Sequence, residues 1–71
     1  MISQERAERI ARAHACIGCN EYTYRKVAVR TALPSLRAEF GEEWHALLTC
    51  GVCGILQELG IDGDGDVIYA A

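Results

Sequence analysis

Apolar positions along this chain follow two periods, and the change from one to the other divides it into elements. Near the start, Ala7, Ile10, Ala11 and His14 recur at helical spacing on one face, with charged residues between them. This predicts a helix over residues 3–14. Ser3 is placed to cap it and Glu5 lies near the positive end of its dipole. Glu5→Arg9 and Glu8→Arg12 are i,i+4 pairs in the favourable order. The stripe is mostly alanine, so the helix is too weak to stand alone and must dock on something. From Tyr22 to Arg30 the period shortens. Tyr22 and Tyr24 share one side, Val27 and Val29 the other, and the phase change at Arg25-Lys26 implies a bulge in a strand. A helix over the same residues, capped by Asn20, is the competing reading.

Pro34 to Phe40 reads as a short central helix, with proline suited to its first turn. Leu36, Phe40, Trp44, Leu47 and Leu48 continue the helical spacing, but Gly41 interrupts it. Either one helix crosses Gly41 at a cost of about 1 kcal/mol, or it stops there and Trp44–Thr49 is a strand. Periodicity leaves both open. Farther on, Ile55, Leu59 and Ile61 fall on one side. Asp62-Gly63-Asp64-Gly65-Asp66 is strong turn chemistry and Val67–Ala70 is strand-like, which together predict a closing hairpin. The expected core draws on Ile10, Ile17, Phe40, Trp44, Leu47, Leu48, Ile55, Leu59 and Ile61.

Length changes how these elements must be held. With 71 residues the chain is read as one domain, residues 1–71. A core of this size rarely supplies more than about 3–5 kcal/mol, so a staple is expected. The chain has four cysteines, and they form two pairs, Cys16-x-x-Cys19 and Cys50-x-x-Cys53. Met1 to Arg6 runs straight into charge with no apolar stretch of signal-peptide length, and no window is long and apolar enough to span a membrane. The expected setting is therefore a reducing cytoplasm, where paired cysteines read as metal ligands more readily than as disulfides. Cys16, Cys19, Cys50 and Cys53 are expected to form one tetrahedral site, with zinc as the expected ion. Gly18, Gly51 and Gly54 are read as shaping the two turns. His14 and His45 could each replace a cysteine, but four thiolates already fill the shell. The histidines are accordingly read as surface residues or neighbours of the ligands.

The order of knuckle, strand, helical excursion, strand, knuckle, strand resembles the zinc-ribbon class over roughly residues 15–70. That resemblance implies an α+β fold: a small antiparallel sheet with a structural zinc, here preceded by the helix at residues 3–14. The long excursion and that helix depart from the usual pattern. A second resemblance rests on Cys19-Asn20 and Cys50-Gly51-Val52-Cys53. It is to the bacterioferritin-associated ferredoxins, small helical proteins, and implies a [2Fe–2S] cluster and electron transfer. Their first pair is C-x-C, where this chain has C-x-x-C, and the strand-prone Tyr22–Val29 fits their helix poorly.

Charge adds a polarity. All seven basic residues lie at or before Arg37, against three acids there, whereas the remainder holds seven acids and no Lys or Arg. Tyr22, Tyr24, Arg25, Lys26 and Arg30 mix rings and cations, a pattern that can bind single-stranded nucleic acid, although the acidic half opposes phosphate. Asp62, Asp64 and Asp66 match the first positions of a calcium loop. Val67 stands where that loop requires glycine, so a solvated turn is the better reading. No nucleophile–base set is present and a closed thiolate site has no position open to substrate. The expectation is a protein-binding adaptor or regulator and not an enzyme. The partner and the oligomeric state are not legible.

Overall fold

The computed structural model describes residues 2–71. In chain order they form α1 (Gln4–Arg12), β1 (Tyr24–Thr31), α2 (Pro34–Phe40), β2 (Glu42–Cys50), β3 (Leu56–Asp62) and β4 (Val67–Ala70). The strands make one antiparallel sheet in the order β1-β2-β3-β4. The result is a small α+β domain consistent with a zinc-ribbon-like fold.

Ser3 caps α1 as its sequence predicts, its hydroxyl accepting from the Arg6 N–H at 3.2 Å. The helix stops at Arg12, two residues short of the expected end. Of the two expected ion pairs, Glu8–Arg12 forms at 3.3 Å; Glu5–Arg9 is not formed among the described residues. Ala7 and Ala11 are fully buried. Their small side chains let the helix lie close against Ala46, Leu48, Leu59 and Ile61 of the sheet. Trp44 Nε1 donates to the Ile2 carbonyl at 3.1 Å and holds the segment that leads into α1.

Gly41 decides the question that periodicity left open. It adopts φ 71°, the left-handed region that terminates helices cheaply only at glycine, and its N–H returns to the Arg37 carbonyl at 3.1 Å. The helix ends there and residues 42–50 are a strand paired on both sides. Leu36, Phe40, Trp44, Leu47 and Leu48 therefore do not share a helical face. Trp44, Ala46 and Leu48 point toward α1, while His45 and Leu47 point to the opposite face of the sheet.

The bulge expected at Arg25-Lys26 is present as a register shift between Tyr24 and Lys26. The strand begins at Tyr24, so Tyr22 lies in an exposed loop. In the β3–β4 hairpin, Asp62 Oδ1 accepts from the N–H groups of Asp64 and Asp66, each at 2.9 Å. That carboxylate is a turn cap, which accounts for the alternating Asp and Gly. Three residues expected in the core are instead exposed: Ile17 (51%), Phe40 (53%) and Ile55 (38%). Glu42, His45 and Gln57 are buried in their place. Among the described residues no helix is long and apolar enough to cross a membrane.

Candidate metal centre

The two cysteine pairs sit at one end of the sheet, the first in the loop ahead of β1 and the second running from the last residue of β2 into the loop before β3. The loops share one backbone plan. The Cys16 N–H donates to the Glu21 carbonyl at 2.8 Å, and the Cys50 N–H to the Ile55 carbonyl at 3.0 Å. The residue after each second cysteine is left-handed: Asn20 at φ 65° and Gly54 at φ 76°. Asparagine and glycine are the residues that tolerate this region best. Of the three glycines expected to shape the turns, Gly54 alone has a positive φ. Gly51 instead ties its loop to the chain ahead of β1, its N–H donating to the Thr23 carbonyl at 2.9 Å.

This plan gathers the sulfurs. All four Sγ atoms lie within 4.8 Å of one another. The close pairs run between loops, Cys16–Cys53 and Cys19–Cys50, each at 3.6 Å. Thiolates about 2.3 Å from one tetrahedral ion would stand roughly 3.8 Å apart, so the cluster can hold a single metal ion. Backbone donors face the sulfurs as well. Gly18 N–H reaches Cys16 Sγ at 3.4 Å, and Val52 and Cys53 N–H reach Cys50 Sγ at 3.3 and 3.4 Å. The Cys53 and Val52 donors bring the Cys50 thiol down to about 6. At Cys19 the Glu21 N–H pulls downward, but burial and the neighbouring sulfurs outweigh it and push the thiol up to about 12. At Cys53 the Ile55 N–H pulls downward too, and burial with the Cys16 contact again raises the net value.

A polar relay that sequence reasoning missed braces the first loop. Gln57, on β3 and only 1% exposed, accepts from the Ile17 N–H at 3.0 Å through Oε1. Its Nε2 donates to the Tyr24 hydroxyl at 3.0 Å. Tyr24 in turn donates to the His14 carbonyl just beyond α1. Burial raises the Tyr24 pKa, so the hydroxyl stays protonated to donate. The chain carries no sequence signal for this, since an isolated glutamine in a strand reads as a surface residue.

Neither histidine belongs to the cysteine cluster. His14 Nδ1 lies 2.9 Å from the Ala15 carbonyl. His45 is buried on the far face of the sheet, with Nδ1 2.9 Å from Glu42 Oε2 and 3.1 Å from the Tyr69 hydroxyl. Glu58 Oε1 stands 3.6 Å from its Nε2. Glu42 is fully buried, and its Oε1 has no hydrogen-bond partner among the described residues. Tyr69 covers Gly60, where any Cβ would collide with its ring and with Glu42 Oε1. Burial, together with the Glu42 carboxylate, raises the Tyr69 pKa.

No protein-family model, curated protein or solved structure matches this chain.

Proposed function

We propose that this chain is a small module folded around one structural zinc ion held by Cys16, Cys19, Cys50 and Cys53, and that it acts as a protein-interaction adaptor or regulator in a reducing compartment. The carrying observation is the approach of all four sulfurs to within 4.8 Å, with three backbone N–H groups donating to the sulfurs of Cys16 and Cys50. One ion explains that spacing. A two-iron cluster would distribute its four thiolates over two bridged metals and hold the pairs farther apart. Four thiolates close the shell, so the ion serves folding and leaves no position for substrate. The adaptor reading draws on the surface: Arg6, Arg9 and Arg12 are all exposed on α1. A small module whose core cannot grow has its surfaces as its working parts.

The test is anaerobic purification followed by metal analysis, a visible spectrum and chelation. The expected protein is colourless, with one zinc per chain. Binding in zinc-finger peptides is worth about 10–16 kcal/mol in apparent terms, so chelation should abolish the β-sheet circular dichroism. A brown preparation with visible absorption would replace zinc by an iron–sulfur cluster. A metal-free form with unchanged dichroism and melting would remove the structural role.

A further inference from the structure

Strand β4 has a neighbour on one side only among the described residues. Beyond its end, Glu58 and Ala71 exchange both backbone bonds, at 2.8 and 2.9 Å. In an antiparallel ladder the adjacent residue turns its backbone groups the other way. Ala70 therefore directs its N–H and C=O outward. The strand is Val67-Ile68-Tyr69-Ala70, with no charge to blunt that edge. Natural edges are usually protected by charge, proline or a covering element. The opposite edge, β1, has both charge and cover. It carries Arg25, Lys26 and Arg30, and its Val29 carbonyl accepts from Gln4 Nε2 of α1 at 2.7 Å.

Beside β4 lies a cleft of about 490 Å³ lined by Phe40, Ile68 and Tyr69. Phe40 and Ile68 are 53% and 37% exposed, and the Phe40 ring meets Tyr69 edge-on at 6.2 Å between centroids. Acids surround it. Glu39 and Glu58 are exposed, as are Asp64 and Asp66 in the hairpin turn, and no Lys or Arg follows Arg37.

We propose that the β4 edge and this cleft dock an extended basic segment of another protein, added to the sheet as a further strand. Its backbone pairs with Ala70, an aliphatic side chain enters the cleft, and its Lys and Arg side chains face Glu58, Asp64 and Asp66. Strand addition of this kind takes affinity from main-chain bonds and specificity from pockets for alternate side chains. The proposal rests on the interaction-module reading above but not on which metal the cysteines hold. A second copy of this chain is the wrong occupant. Antiparallel β4–β4 pairing would set Asp66 of each copy toward the Glu58–Ala71 end of the other, like charge against like. The basic β1 of a second copy is already engaged at its Val29 carbonyl by Gln4.

The experiment titrates isotope-labelled, metal-loaded full chain with a capped peptide alternating lysine and valine over about eight residues, within the usual strand range. A glutamate–valine peptide of equal length is the control. The expected result is amide shifts centred on Ile68, Tyr69 and Ala70, slowed exchange of the Ala70 amide, and binding that weakens with salt. Ala70→Pro removes the outward donor and Phe40→Ala opens the cleft, and each should weaken binding by about tenfold. Both variants should keep the parent's metal content and dichroism, which separates lost docking from lost folding. Shifts centred on α1 or β1, equal binding of the acidic peptide, affinity unchanged in both variants, or no binding would each overturn the proposal. So would a dimer in sedimentation that Ala70→Pro abolishes, which would give the edge to a second copy. Peptide binding by a chain that carries no zinc would overturn the zinc reading and leave the docking site standing.

Discussion

The four sulfurs are alike in sequence and unlike in the fold. Cys50 is fully buried yet faces two N–H donors that bring it down to about 6, while Cys19 is held near 12 and Cys53 is raised. Within the fold the Cys50 sulfur thus favours the thiolate, and Cys19 and Cys53 favour the thiol. Metal binding requires thiolates. Loading must therefore displace the protons of Cys19 and Cys53, and affinity must fall as pH falls. Zinc titrated into reduced, weakly buffered protein should acidify the solution; a titration without proton release would contradict this. At this scale the spacing of the cysteines made their gathering into one cluster legible. The brace of Gln57 and Tyr24 was not, because a buried amide and a surface amide have the same one-letter signature. Asn20 looked like a helix cap and is the left-handed counterpart of Gly54.

Elements were legible wherever a single local residue forces the outcome. Ser3, Pro34 and the Asp-Gly hairpin turn all act as their chemistry dictates. Strand β2 was ambiguous for a physical reason. Both of its faces carry large side chains, Trp44 and Leu48 toward α1, His45 and Leu47 away from it, so the alternation that marks a half-buried strand is erased. What remained happened to fit helical spacing until the φ of Gly41 broke it. Buried Glu42 and exposed Phe40 invert expectation for a related reason. The two flank the turn from α2 into β2, and the turn drives Glu42 inward onto His45 while Phe40 stays at the surface beside Tyr69. Strand β3 depends on a missing side chain at Gly60, which lets the Tyr69 ring lie across it from β4. Gly60→Ala should displace that ring and lower stability by about 1–3 kcal/mol, the usual range for overpacking. Thermal melting of the metal-loaded protein checks it; a melt equal to the parent's would mean the hairpin absorbs the methyl freely.

Taken as a molecule, the chain has a small core. Half of the buried cluster is alanine: Ala7, Ala11 and Ala46, beside Leu48, Leu59 and Ile61. Truncating Leu48 to alanine should cost about 2–5 kcal/mol, as much as the roughly 3–5 kcal/mol a core of this size supplies. The metal-loaded Leu48→Ala protein should therefore still melt cooperatively, at a lower temperature than the loaded parent, and after chelation it should be as unfolded as the stripped parent. A cooperative melt of the stripped variant would mean that the sheet and α1 suffice without the ion. The arrangement of the loops has a mechanical consequence. An ion joining Cys16–Cys19 to Cys50–Cys53 encloses β1, α2 and β2 in a closed circuit, with α1 on one side and β3 and β4 on the other. Tension applied at the two chain ends would pass through the clasp and bypass everything inside it. The outer elements would peel away first, and the enclosed segment would add its contour length only when a sulfur–metal bond gives way.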